Sequence, residues 1–318
     1  RRLVDPKKKL MVTAGISRKW GDGSFAQVNY ALSNTDLNMF SPTGNDDNLG
    51  HAVKATVIQK IFSNDSSSIW QVGADIFKST SNFRFIDRFR DVEFERNWGT
   101  SIVSTGANEQ QINGWVEYSS PKRSQVRLGF ENLSVGNNFS GNRGSLSGWQ
   151  NLGGVKMIWN GFFVSSSDTA LATNFLKGKF TVEKPFWKMK VGIEAEAEQK
   201  ISETSQTDSL HTTIKASVGT SDSLKVKSNL SYTLRSDFLP YGQSIMLAAK
   251  SNEIASTIST NNEKFGSINA TVGYRIYSPA NIQVFTNQTN EETFLGRLEY
   301  TKRFLKRFCS FSCGYELS

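Results

Sequence analysis

The chain lacks any long hydrophobic run. No stretch of its 318 residues approaches the roughly 18 consecutive apolar residues that a membrane-spanning helix needs. Hydrophobic residues make up 37% of the sequence, and the mean hydropathy is −0.40. Neither value tests for a membrane β-barrel, because half of every barrel strand is polar. Proline is also scarce, with 6 residues against 25 glycines, which suits strands and turns.

Cysteine, histidine and clustered charge are scarce as well. On a strand, Cys309 and Cys313 would share one face about 13 Å apart, which is too far for a disulfide. Their spacing does not make a metal site, and neither His51 nor His211 has a nearby ligand cluster. No Ser–His–acid arrangement, phosphate loop or zinc motif is visible, so no catalytic residue, metal or cofactor is predicted. The net charge of +8 is scattered, which argues against nucleic-acid binding.

The stretch from Phe186 to Ile201 alternates strictly between apolar and polar residues. One face carries Trp187, Met189, Val191, Ile193, Ala195 and Ala197, and the other carries Lys188, Lys190, Gly192, Glu194, Glu196 and Glu198. A strand of a soluble sandwich has about 5 or 6 residues, whereas a membrane-spanning strand needs roughly 9–11. Twelve alternating positions, apolar on one side and charged on the other, predict a barrel wall between lipid and a watery lumen.

The same alternation predicts an all-β fold, an antiparallel transmembrane β-barrel or an arc of one. We expect about sixteen meandering strands in a single domain over residues 1–318. Their approximate ranges are 9–19, 26–33, 51–62, 69–79, 110–119, 124–135, 155–159, from 162, 174–184, 186–201, 210–219, 224–235, 244–258, 266–277, up to 303, and 309–317. The charged residues of 188–198 are predicted to face the lumen. By the same parity, so are Lys225, Lys227, Asn229, Thr271 and Arg275, whereas Val226, Leu230, Val272 and Tyr274 are predicted to lie on the apolar face.

The predicted connections tend to alternate between short turns and long loops, as in outer-membrane barrels. Residues 136–147 are expected to form a glycine-rich loop, and Asn160-Gly161 a two-residue hairpin turn. Lys184-Pro185 is expected to turn the chain into the strand that begins at Phe186. Beside the short turns, and with the parity of the apolar faces, lie Trp20, Trp70, Tyr118, Trp159, Trp187 and Phe304. This pattern predicts an interfacial aromatic girdle, although strand-end aromatics also pack the cores of soluble sheets.

Residues 80–108 form the longest predicted break, and its centre mixes acids, arginines and aromatics. The candidate ordered-loop residues are Arg84, Asp87, Arg88, Arg90, Asp91, Glu93, Glu95, Arg96 and Trp98. One interpretation is a loop folded over the lumen or a contact site for a partner. The favoured interpretation is an extracellular loop held by Arg–carboxylate pairs. Likewise Glu194, Glu196 and Glu198, about 7 Å apart, are interpreted as a solvated wall in preference to a paired-carboxylate site.

Three stretches resemble a known family. They are Gln27–Ser41, Asp46–Ala52 and Asp87–Trp98, all in the first third of the chain. They are similar to the barrel regions of large outer-membrane proteins of Bacteroidota. The resemblance implies an outer-membrane location and a longer parent chain, and it brings no catalytic residues. The predicted strand count places both chain ends on the long-loop side, and Tyr315–Ser318 lacks a terminal aromatic. We therefore expect an internal segment of a longer barrel, with an arc favoured over a closed barrel.

The sequence leaves three classes of function open. The favoured hypothesis is a non-catalytic outer-membrane segment that forms a pore, an export channel or a scaffold. Its partners would be outer-membrane lipid, with other outer-membrane or periplasmic proteins as further candidates. The second hypothesis is a surface-exposed soluble β-sheet that binds a partner, as an adhesin does. The third is an outer-membrane barrel enzyme acting on lipid or glycan, which ranks last because no nucleophile–base pair is visible.

Overall fold

The computed structural model describes most of the chain. The described residues are 7–21, 23–36, 48–64, 68–86, 90, 92–99, 106–120, 123–169, 171–203, 208–221, 224–242, 244–262, 266–280, 290–304 and 309–317. Within these ranges, the side chains of 62–64, 261–262, 303–304 and 309–317 are not described. Predicted site residues Asp87, Arg88 and Asp91 lie outside the described residues, as does the side chain of Phe304.

The described residues form sixteen β-strands and one short helix. The strands are β1 Lys8–Trp20, β2 Ser24–Asp36, β3 Leu49–Asn64, β4 Ser68–Ser79, β5 Glu109–Ser120, β6 Ser124–Val135, β7 Phe139–Leu152, β8 Val155–Asp168, β9 Ala172–Phe186, β10 Met189–Ser202, β11 Ser209–Thr220, β12 Val226–Tyr241, β13 Ser244–Asn262, β14 Gly266–Pro279, β15 Glu291–Phe304 and β16 Cys309–Leu317. The helix, α1, spans Phe94–Trp98 between β4 and β5. In the part of the chain that is described, no helix is long and apolar enough to cross a membrane.

Hydrogen-bonded neighbours follow chain order from β1 to β16. Every pair with a described register is antiparallel, from β1–β2 to β5–β6 and from β10–β11 to β15–β16. The all-β antiparallel class is therefore confirmed. Within the described residues the order does not return from β16 to β1.

The chain divides into two compact units. Unit 1 comprises Arg1–Gly148, Gly161–Leu176 and Ser202–Thr204, and unit 2 comprises Trp149–Asn160, Lys177–Ile201 and Ser205–Ser318. In both units many large apolar side chains of the strands are exposed. Leu128 of unit 1 and Ile193 of unit 2 are each 58% exposed. We call the side of each strand that carries these residues the apolar face, and the opposite side the polar face.

The prediction was wrong between residues 136 and 168. The expected glycine-rich loop is mostly strand β7, and the expected hairpin at Asn160-Gly161 lies inside β8. The actual turn is Gly153-Gly154, where both residues have positive φ, at 57° and 82°. Asn160 and Gly161 have no positive φ, so this Asn-Gly pair is ordinary strand backbone. The prediction omitted β7 and counted β8 as two strands. The two errors cancel, so the predicted total of about sixteen strands still agrees with the structure.

Two predicted lumen-facing lysines are not in strands. Strand β9 continues through Pro185 to Phe186, and the turn falls at Trp187 and Lys188. Lys225 precedes β12, which begins one residue later. The alternation of polar residues continues through both turns, so parity alone did not reveal where the strands end.

The alternation of connection lengths is only partly correct. Turns at one end of the strands are short, as expected. The other end carries the long connections 37–48, 80–108 and 280–290, but also the tight ones 136–138, 169–171 and 242–243. Residues 80–108 remain the longest connection between strands, as the sequence indicated.

Candidate functional site

The polar face of β9 and β10 in unit 2 carries a ladder of ion pairs. Lys177 Nζ lies 3.5 Å from Glu196 Oε1 and 3.3 Å from Glu198 Oε2. The Nζ of Lys179 lies 2.8 Å from Glu194 Oε1. All three glutamates pair with lysines of the neighbouring strand, because opposite side chains in adjacent strands point to the same face. These pairs favour the interpretation of the glutamates as a charged wall over a catalytic carboxylate pair.

Further ion pairs continue across the polar face of unit 2. His211 Nδ1 lies 2.7 Å from Asp237 Oδ1, and Arg235 Nε donates a 2.8 Å hydrogen bond to the same oxygen. Arg275 Nε donates to Glu253 Oε2 at 2.7 Å. The sequence showed no partner for His211, because Asp237 is distant in the chain. The register of β11 against β12 sets the two residues directly opposite each other.

The other predicted lumen-facing residues keep the expected parity. The polar-face positions of β10, β12 and β14 hold Lys190, Glu194, Glu196, Glu198, Lys227, Asn229, Thr271 and Arg275. Lys188 and Lys225 lie outside the strands. The assignment of this face to a watery lumen stays a prediction.

The aromatic residues near the short turns share the apolar-face parity. Trp20 Nε1 donates a 2.9 Å hydrogen bond to Gln59 Oε1, and the rings of Trp70 and Tyr118 are 5.0 Å apart. Trp159 is partly exposed in β8. Trp187 is 84% exposed, in the turn rather than at the start of a strand. Their placement at a membrane interface stays a prediction.

Between β4 and β5, the described residues 80–86, 90 and 92–99 pack on strands of unit 1, to which they belong, and we call them the covering segment. Its Trp98 is 1% exposed and is the largest fully buried side chain among the described residues. The cluster around Trp98 consists of Leu133, Val135, Phe139, Val164 and Phe175, with Phe94, Ala107 and Phe162 partly buried against it. The polar face thus becomes apolar at one end of β6 to β9, and Trp98 fills that patch.

A second contact holds the start of the covering segment. Phe83 is buried with Ala52 of β3 and Phe77 of β4, and its ring meets Phe85 edge-on at 4.9 Å. The backbone N–H of Arg84 donates to Ser33 Oγ at 3.0 Å. The segment is therefore attached at both ends by buried aromatic rings.

Charged residues surround these rings. Arg90 forms an ion pair with Glu109 of β5, and its guanidinium lies 4.3 Å from the centroid of the Phe94 ring. Arg143 of β7 lies 2.5 Å from Glu131 and stacks 5.2 Å from the Trp98 ring centroid. Three further residues are exposed: Arg96 pairs with Glu93 at 2.7 Å within the segment, and Glu95 lies in the first turn of α1.

The favoured interpretation of this loop named the ion pairs but missed the packing. Arg–carboxylate pairs are present, yet the buried rings of Phe83 and Trp98 make the larger apolar contacts. Glycine made the receiving surface hard to recognise: a Cβ on Gly141 would lie 3.0 Å from Trp98 Cε3. A side chain at this position of β7 would therefore press against the tryptophan ring. No group of three or more metal-ligating side chains occurs in the described part of the chain.

No family model matches this chain, and no curated protein matches it. Solved outer-membrane proteins are similar to it in structure. A loop L8 deletion mutant of OmpT from Vibrio cholerae has a TM-score of 0.42 and 10% identity, over 98% of this chain and 100% of that chain. OccAB3 of Acinetobacter baumannii has the same score and identity, over 98% and 92%. The Pseudomonas aeruginosa outer membrane protein opdK also has 0.42 and 10%, over 96% and 93%. The resemblance to Bacteroidota proteins stays a prediction.

Proposed function

We propose that this chain is a non-catalytic transmembrane β-sheet wall in a bacterial outer membrane, and that it lines a water-filled passage. The observation that carries the proposal is the inverted distribution of side chains. Ile193 and Leu230 are 58% and 55% exposed on the apolar face, and similar residues follow along most strands. A soluble protein rarely exposes a contiguous apolar patch larger than a few hundred Å². Lipid is the solvent that such a face requires.

The polar face supports the aqueous side of the wall. Its charges are paired across strands at 2.8–3.5 Å but remain partly exposed, as in the Lys177–Glu198 and Lys179–Glu194 pairs. Buried in a dry core, these charges would cost several kcal/mol each in desolvation. In contact with water they cost little, so a hydrated lumen accounts for them.

The covering segment would narrow this passage. It packs on the polar face of unit 1 through Trp98 and Phe83, and it is held by the Arg90–Glu109 ion pair. We therefore propose the ordered-loop interpretation, in which the segment restricts what passes through, over a loop that only extends outward. The alternative of a soluble adhesin leaves the exposed apolar face without a solvent.

A conductance measurement tests the passage. Reconstituted in a planar bilayer as part of a closed barrel, the chain should give discrete current steps. Lys227→Glu reverses a charge on the polar face and should shift the reversal potential toward cation selectivity in a salt gradient. Lys250→Glu is the matched control, because Lys250 is equally an exposed strand lysine but has apolar-face parity. Insertion without current would leave a sealed scaffold and contradict the passage.

A further inference from the structure

The turn between β9 and β10 combines exposed aromatic rings with lysines. Phe186 and Trp187 are 70% and 84% exposed, and Trp187 is the most exposed of the large hydrophobic residues described. Lys184 and Lys188 flank the pair, and both are exposed. The Nζ of Lys188 lies 5.5 Å from the centroid of the Trp187 ring. Two bulky rings and two cations therefore project together from one end of the sheet.

The backbone holds these rings outward at an energetic cost. Trp187 has φ 55°, the one positive φ at a non-glycine residue in the described part of the chain. A side chain in this region costs about 1–3 kcal/mol, and such strain persists where the surrounding structure enforces it. Pro185 fixes φ at the end of β9, and Ser221 N–H donates to Lys188 O at 2.8 Å. The tryptophan is thus presented by a restrained turn.

Within the described part of the chain, Glu183 is the acidic residue nearest to the turn in sequence. It lies on the polar face and pairs with Lys190 at 3.4 Å. Lys184 has apolar-face parity, and Lys188 lies in the turn itself. Lys184 therefore adds positive charge on the side where the proposed wall would meet lipid headgroups, and Lys188 adds it at the end of the strands. The turn belongs to the short-turn end of the strands, which in outer-membrane barrels is periplasmic and adjoins a phospholipid leaflet.

We propose that residues 184–188 form a binding site for anionic phospholipid, and this rests on the membrane-wall function proposed above. Lys184 and Lys188 hold the headgroup phosphate, and the rings of Phe186 and Trp187 enter the interface beside the acyl chains. Tryptophan favours this depth in a membrane, and each lysine adds attraction to an anionic surface. An acidic protein would also meet the lysines, but it gives no reason for two aromatic rings to be exposed beside them.

The test is the association of spin-labelled phosphatidylglycerol and phosphatidylcholine with the 318-residue chain in phosphatidylcholine vesicles. We expect the wild type to prefer phosphatidylglycerol by about threefold, from the attraction of basic residues to anionic headgroups. Lys184→Gln/Lys188→Gln should bring the ratio close to one, as should 0.5 M NaCl, because salt screens exposed charges. Both substitutions are at exposed positions and should leave the fold intact.

The matched control is Lys156→Gln/Lys227→Gln. Lys156 and Lys227 are exposed at the same end of the strands, but they have polar-face parity. Their substitution removes the same amount of charge. Their variant should keep the wild-type preference. Equal association of the two lipids with the wild type, as expected if the turn binds an acidic protein, would overturn the headgroup site alone. Absence of motionally restricted lipid of either kind would overturn the membrane wall as well.

Discussion

Ile193→Arg should destabilise the protein folded in a bilayer and lower its free energy of unfolding by about 2–4 kcal/mol, the cost of a lipid-facing arginine near the midplane. Ile193 is 58% exposed on the apolar face of β10. It lies near the middle of the alternating stretch, far from the aromatic residues of the turn. The measurement is urea unfolding of the protein folded into phosphatidylcholine vesicles, followed by tryptophan fluorescence.

The control for this substitution is Glu194→Gln, on the opposite face of the same strand. From the sequence, Glu194→Arg is expected to be nearly silent for folding, but the lysines around Glu194 argue against using it as the control. Glu194 pairs with Lys179 at 2.8 Å and lies opposite Lys215 in the register, so an arginine there would meet two like charges. Glutamine removes the charge without adding repulsion and should cost less than about 1 kcal/mol. Equal losses in the two variants would indicate a soluble sheet.

Trp98→Ala should cost about 3–5 kcal/mol in the free energy of unfolding, the usual cost of removing a buried tryptophan. Trp98 is 1% exposed and packs on Leu133, Val164 and Phe175. Its loss removes the larger of the two contacts that hold the covering segment. Urea unfolding measures the cost, and limited proteolysis should show faster cleavage within residues 80–108.

Two comparisons separate this effect from the general loss of a large ring. Trp70→Ala removes an exposed tryptophan of the apolar face and should cost less, without faster cleavage of the segment. Gly141→Ala pushes on Trp98 from the strand and should cost about 1–3 kcal/mol by overpacking. Gly144→Ala, on the same strand but with open space around its Cβ position, should be nearly neutral. Equal cleavage rates in Trp98→Ala and the wild type would contradict attachment of the segment through Trp98.

The strands could be predicted because apolar and polar residues alternate along the sequence itself. The faces on which Ile193 and Glu194 lie can be assigned from their own strand, without knowledge of the neighbouring strands. Strand β7 was missed because Gly141 and Gly144 were interpreted as loop residues, while in the structure Gly141 lies in the strand against the Trp98 ring. In β8 the dipeptide Asn160-Gly161 carried a strong turn signal that the sheet overrides.

The covering segment was harder to predict, because its packing joins residues that are distant in sequence. Leu133, Val135 and Phe139 are apolar residues at polar-face positions, and that exception to the alternation is the one signal the sequence offered. These apolar positions can be interpreted only once it is known that Trp98 of α1, which lies between β4 and β5 in the chain, packs against them. The partners of His211 and Arg143 likewise follow from strand register, which single-strand patterns do not supply.

The most direct measurement of the central claim is labelling of two adjacent residues of β14 in membrane-embedded protein. In a background with Cys309→Ser and Cys313→Ser, single cysteines replace Thr271 on the polar face and Val272 on the apolar face. Both native side chains are exposed in the structure. A water-soluble maleimide should label the Thr271→Cys variant in vesicles and leave the Val272→Cys variant unlabelled until the protein is denatured. Equal labelling of both in vesicles would contradict a wall between lipid and water.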